Sequence, residues 1–467
     1  MFLNLDSHEQ DRTVIRDDSG HTVTYGELCG VVQSIKMLEL PRCVVFCLCE
    51  NSAGSLAGYL SFENNGQVPL LISAAMDREF REQLESAYQP SYYWLPSLIE
   101  DQVAGEVVFR VYDYSLVKTA YPPYSLNEKL SLLLTTSGST GSPKLVRHKY
   151  GNLEANAANA AKAFSWTSEE IGICDLPMNY TMGLNVINSL LIVGASVLMV
   201  KANLMDPDFW TFIKENHGTN FCGVPFSYEI MRRIGFDKMD LPDLRTLAEG
   251  GGKLTDKMFS WIASWCNNNG KRFCATFGTS ETSARMSFLD PDLALQKIGS
   301  IGKAIPDGEL FLLDEVMDEE GSTTGELAYR GPNVTMGYAY CKEDLMKGDE
   351  FCGEYHTGDI AKRNSDGFYY IIGRKGRFLK LFGIRVSLDE TERILKTQYP
   401  GVDFVCAGDD KKMLIYTTDS SLQNEIIPFI SKKTNLHNSA FHVLVVEKIP
   451  RNEYGKVIFA ELDKIAD

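Results

Sequence analysis

Short apolar runs recur through the first three quarters of the chain, at Cys43–Cys49, Val68–Ile72, Ser131–Leu134, Ser196–Val200, Phe221–Val224 and Arg272–Phe277. Between them lie stretches with helical spacing of apolar residues, such as Asn152–Phe164, Asn185–Val193 and Asp256–Asn267. Strand-like runs alternating with helices predict an α/β fold, with parallel-type sheets covered by helices. From Gly308 the pattern changes to short strands and tight turns, at Glu309–Asp314, Glu326–Tyr329 and Phe368–Ile372, which reads as a small β-rich subdomain. After Arg374-Lys-Gly-Arg377 strands and helices mix again, at Glu390–Gln398, Phe404–Ala407, Met413–Thr417, Leu422–Lys432 and Phe441–Val446. The division expected is a large N-terminal unit over 1–375, its β-rich part about 308–375, and a small α+β unit over 376–467.

Length supports that division, because 467 residues exceed one ordinary core. A net charge of −16 with no basic block argues against nucleic acid or an anionic membrane as main partner. The eleven cysteines have no regular spacing. The close pair Cys47 and Cys49 falls in a strand-like run, and no second pair or His cluster completes a zinc site. Unpaired cysteines suit a reducing compartment. The N-terminal residues lack the basic flank and apolar region of a signal peptide, and no stretch approaches the roughly 18 apolar residues that span a bilayer. A cytoplasmic protein is expected.

The chemistry is concentrated in a few segments. Thr135-Thr-Ser-Gly-Ser-Thr-Gly-Ser-Pro-Lys144 follows the apolar run Leu130–Leu134. Hydroxyls and glycines at this density suit wrapping a phosphate chain with backbone N–H groups and Ser/Thr donors, with Lys144 as a mobile cation. The spacing is not that of a Walker A loop, and an ordinary surface loop can have the same composition. Three further segments follow in order: Phe277-Gly-Thr-Ser-Glu281, then Tyr355-His-Thr-Gly-Asp359 with Gly373-Arg374, then Pro450-Arg-Asn-Glu-Tyr-Gly-Lys456.

Together these segments closely resemble the acyl-adenylate-forming superfamily of acyl-CoA synthetases, amino-acid adenylation domains and beetle luciferases. The resemblance runs from His21-Thr-Val-Thr-Tyr-Gly-Glu-Leu28 to Lys456, nearly the whole chain. It implies ATP- and Mg²⁺-dependent adenylation of a carboxylic acid with release of pyrophosphate. Transfer of the acyl group to a phosphopantetheine thiol, on CoA or on a carrier protein, would follow. By the same resemblance Thr136, Ser137, Gly138, Ser139, Thr140 and Lys144 hold the phosphates, although Leu145 stands where relatives usually have Gly. Glu281 is the magnesium ligand, an oxygen donor suited to that ion. Phe277, Gly278, Thr279 and Ser280 face one side of adenine and Gly250, Gly251 and Gly252 the other; Phe277 replaces the commoner Tyr and Ser280 the commoner Thr. Asp359 accepts from the ribose hydroxyls with Arg374 as its helper. Lys456 reaches the α-phosphate and the attacking carboxylate, neutralising charge that builds in the transition state.

The resemblance also places a hinge at Gly376, where relatives carry Asp or Lys. Rotation there would bring Lys380-Leu-Phe-Gly383 to the acyl-adenylate, with Glu390 and Glu392 as structural residues of the helix that follows. The acid pocket would be lined by Asn179–Leu184, with Tyr180 and Thr181, by Val224-Pro-Phe226, and by the turns at Gly250 and Phe277. Amino-acid adenylation domains place an Asp where Thr181 stands, and no carboxylate occurs between Leu176 and Val200. A buried ammonium without a counter-ion is costly. An acyl or aryl acid is therefore favoured over an α-amino acid, with Asp175 as the residue to watch. Amino-acid adenylation with loading of a separate carrier protein is the alternative. A luciferase-type oxygenase and a non-catalytic nucleotide-binding regulator are more distant ones.

Overall fold

A computed structural model describes residues 1–135, 144–381, 384–409, 411–434, 436–451 and 457–466. Two large sheets dominate. The first runs, in spatial order, Lys303–Ala304, Ser287–Phe288, Arg272–Phe277, Thr246–Glu249, Asn220–Gly223, Ile171–Cys174, Ser196–Met199, Thr13–Asp17 and Thr22–Thr24. Its central strands, from Arg272–Phe277 to Thr13–Asp17, are all parallel. The second runs Tyr338–Ala339, Leu145–Lys149, Leu130–Thr135, Val68–Ser73, Val44–Cys49, Tyr92–Pro96, Tyr114–Lys118 and Glu106–Val111. It is parallel from Leu130–Thr135 to Tyr92–Pro96 and antiparallel outside.

The parallel centres agree with the alternation in the sequence, and their residues explain it. Val44–Cys49 is buried at every position, as a strand covered on both faces must be. The antiparallel edges add what alternation does not show, such as the hairpin of Glu106–Val111 with Tyr114–Lys118, turned at Tyr112 with φ 51°.

Helices fill the space between the sheets. Ala53–Asn65 is buried along residues 53–63 because it meets apolar neighbours all round. Asn152–Phe164 has the expected bounds, and its buried asparagines tie down loops: Asn152 Nδ2 donates to the carbonyls of Pro332 (2.7 Å) and Val334 (3.0 Å). Thr181–Leu191 starts four residues before the expected Asn185, because Thr181 to Leu184 pack inward. Helices Pro207–Glu215, Pro225–Arg233 and Asp256–Asn268 cover the outer face of the first sheet, and Arg78–Tyr88 that of the second. The result is a layered helix–sheet–helix–sheet–helix sandwich whose main core lies between the sheets.

Glu309–Met317, Thr323–Arg330, Glu354–Arg363 and Tyr369–Arg374 form an antiparallel sheet in the expected β-rich stretch. Beyond it lie the hairpin Phe378–Leu381 with Ile384–Ser387 and the helix Leu388–Gln398. A three-stranded sheet of Phe404–Asp409, Lys412–Thr417 and Phe441–Val445 follows, with a hydrophobic cluster of its own that includes Leu379, Leu395, Ile415 and Ile430. Gly376 has no heavy atom within 4 Å of where a Cβ would stand, so the local packing does not demand glycine there. All eleven cysteines are free and eight of them are buried, Cys47 and Cys49 among them. Among the described residues no helix is long and apolar enough to cross a membrane.

Candidate active site

Parallel strands place their carboxyl ends along one rim. In the first sheet the ends Phe277, Glu249, Gly223 and Cys174 lie side by side. The chain leaves Ile171–Cys174 towards Ser196–Met199 on one side and leaves Asn220–Gly223 towards Thr246–Glu249 on the other. A crevice opens outside the strand ends where such connections diverge. The segments that follow these ends are those singled out in the sequence: Asp175–Thr181, Val224–Phe226, Gly250–Gly252 and Gly278–Glu281.

Two glycines are needed for that rim to close. Gly251 has φ +75°, and a Cβ on it would lie 2.6 Å from Tyr180 Oη. A Cβ on Gly278 would lie 1.4 Å from the Ala284 carbonyl oxygen. This close approach exists because the chain turns back at once through the 3₁₀ turn Ser280–Thr282, with Ser283 and Ala284 at φ 54° and 103°. It then rejoins the sheet, Met286 N–H donating to Phe277 O at 2.8 Å. The tight reversal projects Glu281 from the sheet edge. Ser280 Oγ meets Thr181 Oγ1 at 2.7 Å, so the expected adenine segment and the expected acid pocket share a hydrogen bond.

Glu281 in turn joins the two sheets. Tyr338 Oη donates to Glu281 Oε1 at 2.7 Å, and Thr335 N–H donates to Glu281 O at 3.0 Å. Tyr338 pairs with Val146 in the strand that leaves the hydroxyl-rich loop, and Lys144 Nζ lies 3.6 Å from the centroid of its ring. The loop's lysine and the proposed metal carboxylate thus meet on one tyrosine. Beside them Tyr355 approaches the Tyr338 hydroxyl; burial first, and Glu281 second, raise both phenols above their usual range.

Asp359 and Arg374 face each other across neighbouring strands, Arg374 Nε donating to Asp359 Oδ1 at 2.7 Å. Asp359 is 4% exposed. Burial raises its carboxyl above the usual range, and the Arg374 guanidinium opposes that. The carboxylate raises the guanidinium in return. The pair was expected, and it stands next to Tyr355.

Thr136, Ser137, Gly138, Ser139, Thr140 and Lys456 lie outside the described residues. Phe226 is 53% exposed on the first turn of its helix. The neighbour that reaches the Tyr180–Gly251 contact is Val224, whose Cγ1 is 3.2 Å from the Cβ position of Gly251. Three residues were not foreseen. Tyr338 and Tyr355 are two, although Tyr355 opens a segment already quoted. Arg285 is the third: it is 2% exposed, with Nε donating to Asn185 Oδ1 (2.7 Å) and Nη1 to Thr276 Oγ1 (2.8 Å), and it locks helix Thr181–Leu191 against strand Arg272–Phe277 under the site. Glu249 and Asp175, at the ends of their strands, are both raised by burial, Asp175 to about 7. In both, burial works against the charged form.

Glu281 presents a carboxylate oxygen beside Lys144, the donor chemistry that suits Mg²⁺ bound together with substrate phosphates.

Residues 64–339 match the family described as AMP-binding enzyme, which is more than half of the chain. The chain belongs to this family, and it is an ATP-dependent, AMP-forming acid–thiol ligase. Among curated relatives, 2-succinylbenzoate–CoA ligase of Bacillus cereus is 26% identical over 419 residues, covering 86% of this chain and 84% of the relative. The enzyme of the same name from Bacillus cytotoxicus is 24% identical over 458 residues, covering 94% and 92%. Among solved structures, O-succinylbenzoate coenzyme A synthetase from Bacillus subtilis in complex with AMP has a TM-score of 0.78 at 19% identity, covering 99% of this chain and 97% of that one. ATP-bound MatB from Rhodopseudomonas palustris has a TM-score of 0.76 at 19% identity, covering 99% of each. These structures share the fold.

Proposed function

We propose that the chain activates an acyl or aryl carboxylic acid as its acyl-adenylate and passes the acyl group to CoA, in the cytoplasm. The observation that carries this reading is the convergence of Lys144, Tyr338 and Glu281 with Asp359 and Arg374 on one rim, where Ser280 Oγ also meets Thr181 Oγ1 of the expected acid pocket. The pocket's nearby carboxyls, Asp175 and Glu249, are pushed towards their neutral forms, which suits an acid without an ammonium group. The name shared by the two curated relatives above, 2-succinylbenzoate–CoA ligase, supports the acceptor and the acid class.

In the first step the substrate carboxylate attacks the α-phosphorus of ATP and pyrophosphate leaves. Lys144 and the hydroxyl-rich loop bind the departing phosphates, Asp359 holds the ribose hydroxyls, and Lys456 neutralises charge at the α-phosphate. Mg²⁺ held by Glu281 supplies further neutralisation of phosphate charge when bound. In the second step the thiol of CoA, having lost its proton, attacks the acyl carbonyl, and AMP leaves with the bridging oxygen. Residues 376–467 turn about Gly376 between the steps. A proline there fixes φ, so Gly376→Pro is expected to slow thioester formation, by about tenfold or more, far beyond any loss in adenylation. Separate assays of pyrophosphate exchange and of thioester formation check this.

Asp359→Ala removes a buried carboxylate that would accept two ribose hydrogen bonds. The KM for ATP is expected to rise roughly 10–100-fold, with a smaller fall in kcat. Equal losses in kcat and kcat/KM would move Asp359 from binding to chemistry. The overall assignment is tested by incubating the protein with ATP, Mg²⁺ and pools of aryl, fatty and amino acids, with CoA or a phosphopantetheinylated carrier protein as acceptor. Aryl- or acyl-CoA is the expected product. Aminoacylated carrier protein would replace this reading with the alternative.

A further inference from the structure

Tyr338 stands between the two charged groups that the proposed reading gives to the metal and the phosphates. Its hydroxyl donates to Glu281 Oε1 at 2.7 Å, and its ring face carries Lys144 Nζ at 3.6 Å from the centroid. A tyrosine can do both because the face of its π-system is negative and its O–H is a donor. With no ring between them, an ammonium on a flexible stem and a carboxylate can move together into a direct ion pair. That pair would have to be broken before either could serve a ligand.

The ring is itself fixed. Tyr338 belongs to the short strand paired with Leu145–Lys149, and Arg147 Nε donates to its carbonyl at 3.0 Å. Arg147, fully buried, also binds Glu350 Oε2 at 2.5 Å and the carbonyls of Met336 (3.1 Å) and Lys347 (2.6 Å). Phe351 meets the Tyr338 ring edge-on, at 5.4 Å and 89°. One guanidinium thus holds the Tyr338 carbonyl together with those of Met336 before the strand and Lys347 after it.

We infer that Tyr338 is a positioning residue which holds the Glu281 carboxylate and the Lys144 ammonium apart, orienting the first for a divalent cation and keeping the second available for phosphate. The inference rests on the proposed reading of Glu281 as metal ligand. A hydrogen bond to one carboxylate oxygen fixes the plane of the group and leaves the other oxygen for the ion, as outer partners of metal ligands do. The residue touches neither substrate nor reacting atoms and acts through its two neighbours.

Tyr338→Phe keeps the ring, the face offered to Lys144 and the contact with Phe351, and removes only the O–H. The test is a titration of Mn²⁺ into the protein with a non-hydrolysable ATP analogue, free Mn²⁺ being read by electron paramagnetic resonance. Wild type, Tyr338→Phe, Glu281→Gln and the double variant are compared. Weaker Mn²⁺ binding in Tyr338→Phe, by about tenfold, is expected, together with a loss in Glu281→Gln that the second substitution does not deepen. In steady-state assays the Mg²⁺ concentration for half-maximal rate should rise more than kcat falls. Wild-type Mn²⁺ affinity in Tyr338→Phe beside a clear loss in Glu281→Gln would overturn the inference and leave Glu281 as ligand. Wild-type affinity in Glu281→Gln would instead remove Glu281 from the metal, and the inference with it. Additive losses in the double variant would show that Tyr338 does not act through Glu281, which also overturns it.

Discussion

Lys456→Ala is expected to lower the rate of acid adenylation by about 10²–10³-fold while leaving ATP binding within a few-fold. Attack of a carboxylate on a phosphate brings two anions together, and negative charge on the α-phosphate oxygens peaks in the transition state. A cation aimed there is worth most at that moment, so its removal lowers kcat more than it weakens the ground-state complex. The step that follows has no such meeting of anions at phosphorus. Supplied with ready-made acyl-adenylate and CoA, Lys456→Ala should still form thioester at a rate much nearer wild type. The measurement is a pair of half-reaction assays, pyrophosphate exchange and thioester formation from acyl-adenylate. Equal losses in both would show that Lys456 serves the fold or the second step.

Gly278→Ala is expected to cripple the site by geometry alone. Its new methyl would stand 1.4 Å from the Ala284 carbonyl oxygen and 2.4 Å from the Ala284 carbonyl carbon, both backbone atoms. No side-chain rotation relieves such a clash. The turn from Thr279 to Ala284 must open, which breaks the Met286–Phe277 hydrogen bond and moves Glu281 off the Tyr338 hydroxyl. Overpacking of this kind costs about 1–3 kcal/mol or more in stability, and a catalytic group displaced by an ångström costs about 10²-fold in rate. A lowered thermal midpoint with pyrophosphate exchange near one-hundredth of wild type is the expected result. Wild-type stability and activity would mean that the reversal after Phe277 has a different course.

Those two residues show what a linear reading reaches and what it misses. Gly278 and Lys456 sit in compact segments whose meaning is carried by immediate neighbours, which is why a linear reading can name them; Lys456 itself lies outside the described residues. The same holds for Asp359 with Arg374, whose register across one hairpin brings them together. Val44–Cys49 was equally plain, since a strand buried on both faces writes its burial as an unbroken apolar run. Tyr338 was not visible, because its meaning is a contact with a carboxylate 57 residues earlier, beside the other sheet, and with a lysine 194 residues earlier that leads into the strand it pairs with. Arg285 reads as an ordinary polar residue in a loop until Asn185, 100 residues away, is seen accepting from it. Edge strands such as Glu106–Val111 went unread because they are half-exposed and carry no continuous apolar signal. Of the segment Val224-Pro-Phe226 that the resemblance assigns to the pocket wall, Val224 reaches the Tyr180–Gly251 contact and Phe226 is 53% exposed.

In adenylation the substrate's own carboxylate oxygen is the nucleophile. The direct test is to supply a carboxylic acid whose carboxylate carries heavy oxygen, with ATP, Mg²⁺ and CoA, and to weigh the nucleotide product. Acid attack at the α-phosphorus predicts AMP that contains one heavy oxygen from the acid, with unlabelled pyrophosphate. Label in inorganic phosphate with ADP as the nucleotide would mean attack at the γ-phosphorus, and would contradict adenylation.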